Sequence, residues 1–147
     1  MWRARSTYTL QIVSTHEQND PADIDPDVIE LATRLFDFAR KGDLESLRSH
    51  LDAGVPVDLR NQSGDSLLML AAYHGHAPIV SLLVGKGADT GLENDKGQTP
   101  LAGAVFKGYD DVVRVLVEAG ADPQAGFPSA DEAARMFGRE DYLQIWS

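Results

Sequence analysis

The chain predicts an all-α solenoid of stacked helix–turn–helix units, about four of them once degenerate terminal copies are counted. Two observations lead there. The first is a period of 33 residues. The stretch 66–89 holds an apolar run at 67–72, a break at His74-Gly75-His76, a second apolar run at 79–84 and a closing Gly87-Ala88-Asp89. Moved forward by 33 it fits again as 99–104, Lys107-Gly108, 112–117 and Gly120-Ala121-Asp122. Moved back by 33 it gives a fainter copy at 35–39, Lys41-Gly42-Asp43, 47–51 and Gly54. The second observation is that glycines recur in register at 42, 75 and 108, at 54, 87 and 120, and at 64 and 97. A unit of this size cannot bury its apolar face alone, so stacked copies must share one continuous core.

Taken in order, residues 1–24 form a leader without helical periodicity. Tyr8, Leu10 and Ile12 alternate with polar residues, and Glu17 to Glu30 carries six acids and no base. A flexible tether is expected, with an arm laid along the stack as the other reading. The repeat domain is expected at 25–147, in units 25–60, 61–93, 94–125 and 126–147. Asp25-Pro26 suits a helix start, Asp as N-cap and Pro in the first turn, where a missing N–H costs nothing. Val28, Leu31, Leu35 and Phe38 then form an amphipathic stripe. This helix begins two turns earlier than its later counterparts, as suits the end of a stack. Asp43 opens the next helix. Ser66 and Thr99 occupy matching N-cap positions, and Gly54, Gly87 and Gly120 fall where a left-handed residue closes a helix. The last unit is shortened by three residues in its 124–128 connection. It opens with a capping box, Ser129 to Glu132, and its outer helix is expected at 139–146 with Arg139, Glu140, Asp141 and Gln144 outward.

The run TPLAGA (99–104) followed by KGYDDVVRVLVEAGAD (107–122) resembles the ankyrin repeat in its inner helix, outer helix and hairpin loop, and the resemblance extends over about 29–146. It implies protein recognition without catalysis: a module that binds a segment of a partner in its concave groove. The other functional class is a structural or stress-protective accessory for a neighbouring enzyme, without a specific peptide site. In the family, two residues before each inter-helix glycine and those near each hairpin tip face the groove. Carried over, these are Arg40, Lys41, Tyr73, His74, Phe106, Lys107, Met136 and Phe137, with Asp65, Lys96 and Gln98 among the hairpin positions. Two departures stand out. Met69 and Ala102 replace the histidine of the inner-helix motif, and Gly103 replaces a larger apolar residue.

The balance of charge narrows the partners. A net charge of −10 opposes nucleic acid and anionic membranes alike. There is no cysteine, hence no disulfide framework or thiolate metal site. The start of the chain lacks the continuous apolar core of a signal peptide, and no segment would span a bilayer, so a cytoplasmic monomer is expected. Nine arginines against four lysines, with abundant Ala, Asp and Gly, fit a GC-rich bacterial source.

No chemistry-bearing motif survives inspection. Gly85-Lys86-Gly87 lacks the Ser/Thr and the upstream glycine of a phosphate loop. His74 and His76 flank a glycine without further ligands, so neither a metal nor a cofactor is expected; in the family the position of His76 is structural. Asp89 and Asp122 recur with the period, and the resemblance makes them loop-shaping residues. What remains is a row of Tyr73, Phe106 and Met136 beside a row of Lys41, His74, Lys107 and Phe137. The rows should step about 10 Å per repeat, the spacing of packed helices. They suit an acidic or aromatic-containing protein segment.

Overall fold

The computed structural model describes residues 26–147; the leader 1–24 and the Asp25 cap lie outside them. The described residues are helical, in pairs. Helix α1 (Pro26–Lys41) pairs with α2 (Leu44–Asp52), α3 (Leu67–Tyr73) with α4 (Ala77–Gly85), and α5 (Pro100–Lys107) with α6 (Asp110–Glu118). In the last unit α7 (Ala130–Met136) is followed by a 3-10 turn (Glu140–Tyr142) and α8 (Leu143–Trp146). The first inner helix has 16 residues where the later ones have 7 or 8.

Local chemistry sets the helix starts. The side chains of Ser66, Thr99 and Ser129 accept from the backbone N–H three residues on, at Met69, Ala102 and Glu132. Glu132 reaches back to the Ser129 N–H, completing the capping box. Asp43 caps α2 through Ser46. Each cap satisfies a donor that the helix itself leaves orphaned, worth roughly 1 kcal/mol.

Inner helices α1, α3, α5 and α7 lie side by side in one layer and the outer helices in a second, with one apolar core between. Leu35, Leu47, Leu67, Ile79, Leu83, Leu101, Val105 and Leu116 are essentially fully buried in it. The inner layer is built from small residues, Ala71, Ala72, Ala104, Ala130, Ala133 and Ala134, which lets those helices approach closely. In α1 the buried face is Val28, Ala32, Leu35, Phe36 and Ala39. Leu31 and Phe38 of the expected stripe lie at its margin, packed on the core but half-buried.

Neighbouring units interlock at the inter-helix glycines. A Cβ on Gly42 would fall 2.8 Å from the His76 ring, and one on Gly75 would fall 2.9 Å from the Tyr109 ring. The residue after each such glycine therefore leans onto the glycine of the preceding unit. His76 also donates its Nε2–H to the Arg40 carbonyl at 2.6 Å, the structural role expected at that position. Asp89 and Asp122 accept from the N–H two residues on, at Gly91 and Gln124, and so shape their loops.

Two expectations need correction. The outer helix of the last unit is not continuous from 139 to 146. Its first turn is 3-10, closed by Tyr142 N–H to the Arg139 carbonyl at 3.0 Å. Arg139 is not simply outward either. Its guanidinium lies 4.3 Å from the Tyr142 ring centroid and donates to Asp110 of the preceding unit at 3.2 Å. A charged group with a partner on the neighbouring unit folds back rather than extending into water.

Candidate functional site

Register places the inner-helix ends of successive units on one face, and side-chain direction decides what they form there. Tyr73 ends α3 and Phe106 precedes the last residue of α5; Met136 and Phe137 close α7. Three of these are exposed although apolar, Phe106 at 51%, Met136 at 67% and Phe137 at 48%. The two rows interlock diagonally. Lys107 Nζ lies 5.0 Å from the Tyr73 ring centroid, a cation–π contact that keeps the ammonium above the face. Phe137 meets Phe106 edge-on with centroids 5.0 Å apart. His74 stands edge-on to Tyr73 at 6.0 Å.

His74 stands among positive groups along the row. Burial, and then the positive charge of His76, Arg40 and Lys107, holds the His74 pKa below its ordinary value. Lys41 is exposed beside it. Arg40 contributes less freely than the sequence suggests, because it donates to Asp37 at 2.9 Å one turn back along α1.

The hairpin positions divide in the same way. Asn94 Nδ2 donates to Asp65 Oδ1 at 2.9 Å and to Gln98 Oε1 at 2.8 Å, so those two side chains are tied into the loop. Lys96 is exposed at the tip. The asparagines at the base of these loops were missed by sequence reasoning. Asn61 Oδ1 accepts from Ser63 and Asp65 N–H, and Asn94 Oδ1 from Lys96 and Gln98 N–H. Their 33-residue spacing was the available signal. Successive hairpins are joined by Asp95 N–H to the Ser63 carbonyl at 3.0 Å.

Two clefts open on this face. A polar one of about 420 Å³ lies between the hairpin tips, lined by residues including Asp65, Asn94 and Lys96. An apolar one of about 300 Å³ lies over α5 and α7. They adjoin, since Tyr73 and Gln98 line both. The floor of the apolar cleft is Ala102, Gly103 and Ala133, and its rim includes Pro128. Phe127 beside it is 81% exposed; neither was singled out from sequence.

Gly103, where a larger apolar residue is replaced, does not face open space. A Cβ there would sit 3.1 Å from Tyr73 Cδ1 and 3.4 Å from Met69 Cε. A neighbouring ring, and not another backbone, approaches this glycine.

A family model for ankyrin repeats, in three copies, matches residues 35–126. The chain belongs to the ankyrin-repeat family. A Pseudomonas aeruginosa protein described as an ankyrin repeat protein is 50% identical over 60 residues, 41% of this chain and 35% of that protein. The human ankyrin repeat domain-containing protein 29 is 48% identical over 60 residues, 40% of this chain and 20% of its own length. The acyl-CoA-binding domain-containing protein 2 of Arabidopsis thaliana is 40% identical over 52 residues, 35% of this chain and 15% of that one. The chain thus spans about a third or less of these relatives. Ankyrin repeats are in general protein-interaction modules and typically not enzymes. No helix among the described residues is long and apolar enough to cross a membrane.

Proposed function

We propose that this ankyrin-repeat chain is a non-enzymatic recognition module that holds an extended segment of a partner protein along its inner-helix face. The observation that supports it best is the pair of adjoining clefts meeting at Tyr73, with the Lys107 ammonium over that ring. A segment lying there would meet Lys41, His74 and Lys107 as its electrostatic partners and Tyr73, Phe106, Met136 and Phe137 as apolar ones. Arg40, Asp65 and Gln98, engaged within the fold, would act mainly by holding the surface in shape. Lys96 would meet the end of the segment nearest the hairpins. The acidic remainder of the molecule would turn other acidic surfaces away from its back, leaving the groove as the place where an acidic or aromatic-containing segment is welcome. The working form is a cytoplasmic monomer.

The test is a partner captured from the native source and measured with purified variants. Tyr73→Ala combined with Phe106→Ala should weaken binding at least tenfold, about 1.4 kcal/mol. Lys41→Glu combined with Lys107→Glu should slow association and flatten its salt dependence. Parent-like binding by both double variants, with loss on changing the outer helices, would place the ligand on the convex side. Diffuse, weak and non-stoichiometric capture would favour the accessory role.

A further inference from the structure

Gly103 lies in the lining of the apolar cleft. Inner helices of this fold run close together through small side chains, yet Gly103 is the position where even a methyl group is missing. Above it Tyr73, Phe106 and Met136 stand around an opening of about 300 Å³. That is the low end of the range for ligand pockets, a fit for one bulky side chain rather than for a whole cofactor. Leaving Phe106 and Met136 largely in water costs hydrophobic free energy that the fold alone does not recover. Lys107 Nζ lies 5.0 Å from the centroid of the Tyr73 ring, which lines the cleft, and among the described residues it has no carboxylate partner. Apolar cleft and cation are therefore one composite feature. It continues past Tyr73 into the polar cleft between the hairpins, a path for an extended chain.

We propose that the cleft over Gly103 receives one large apolar side chain of a partner protein segment, that a carboxylate near it in sequence pairs with Lys107, and that Gly103 is the residue that determines this specificity. The inference rests on the groove reading above and sharpens it to one anchor. A Cβ at position 103 would already press on Tyr73 Cδ1 at 3.1 Å, so a side chain as large as leucine would crowd the wall of the cleft and leave only the charged row.

A random peptide library displayed on phage, selected against the full chain, tests it. Enriched peptides are synthesised and titrated into the parent, Gly103→Leu and Phe106→Ser, with amide NMR shifts followed throughout and thermal melts reporting the fold. The expected motif pairs an aromatic or long aliphatic residue with Asp or Glu. Its binding should shift the signals of Gly103 and Ala133 and fall at least tenfold in both variants while the melts remain cooperative. If Gly103→Leu fails to fold, Phe106→Ser decides, since Phe106 is half in solvent and its removal leaves the core intact. Peptides that bind all three proteins alike while shifting Lys41 and His74 overturn the anchor and leave the groove reading standing. Peptides that shift only outer-helix signals, or a selection that yields no motif, overturn both.

Discussion

At the scale of single residues, four glycines separate backbone strain from crowding. Gly87 and Gly120 have φ of 88° and 91°, and a Cβ at either would meet nothing within 4 Å. A substitution there is opposed by conformation alone, so Gly87→Val or Gly120→Val should destabilise by more than about 1 kcal/mol in denaturant melts. Gly85 is the internal control. It has the same open surroundings and an ordinary helical backbone, so alanine there should not lower the midpoint; an equal loss at 85 and 87 would sink the argument. Gly103 is the crowded case. Helix propensity favours alanine by up to about 1 kcal/mol, but its Cβ would press on Tyr73 Cδ1 at 3.1 Å. Tyr73 is half-buried and bounded by a cleft, so it can yield. Gly103→Ala should therefore stabilise by less than the full propensity gain, and a lowered melting midpoint would show Tyr73 to be pinned. The left-handed positions were legible because they repeat. The crowding at 103 was not, because it depends on the rotamer of a side chain from the preceding unit, and register gives only its starting point.

At the scale of elements, the seam between the third and fourth units is a polar latch on an apolar contact. The buried Tyr142 donates its hydroxyl to Asp110, and Arg139 joins the same carboxylate. The hydrogen bond from Tyr142 is the main cause that holds Asp110 below its usual pKa. Burial first, and that bond second, push Tyr142 up to about 12. Asp110 therefore contributes stability that is complete above the unfolded carboxylate value near 3.9 and is lost as pH falls through its lower folded value. Tyr142 contributes stability that is complete below about 10 and is lost as pH rises from there to about 12. Tyr142→Phe keeps the packing and removes the latch. Its deficit relative to the parent should be greatest near neutral pH and shrink at both extremes, read from urea midpoints across pH. A deficit constant with pH would mean that the hydroxyl is not coupled to Asp110. Asp110 opens α6, and sequence placed Arg139 at an outer-helix start. It could not show that one folds back onto the other, since the shortened 124–128 connection moves the last unit out of the common register.

At the scale of the whole molecule, the period made the architecture legible and the inner-helix ends with it. It did not show which side chains are free. Arg40 turns to Asp37, and Asp65 and Gln98 turn to Asn94, while Lys107 reaches back over Tyr73. The outcome is a cationic and aromatic strip on a chain of net charge −10, and His74 lies in the row between Lys41 and Lys107. Burial and the neighbouring charges of His76, Arg40 and Lys107 disfavour a proton on that imidazole in the free protein. A carboxylate brought onto the row would offset those charges and raise the His74 pKa in the complex. Binding would then take up a proton. The affinity of an acidic peptide should rise as pH falls through the His74 pKa of the complex and level off below the lower value of the free protein. Isothermal titration in two buffers of different ionisation enthalpy, repeated between about pH 5 and 8, where an imidazole titrates, reads the proton uptake directly. His74→Ala should abolish most of it. An uptake that persists in that variant would assign the titration to the peptide or to another group. A parent that binds equally at every pH would show that the ligand's charge does not reach this row.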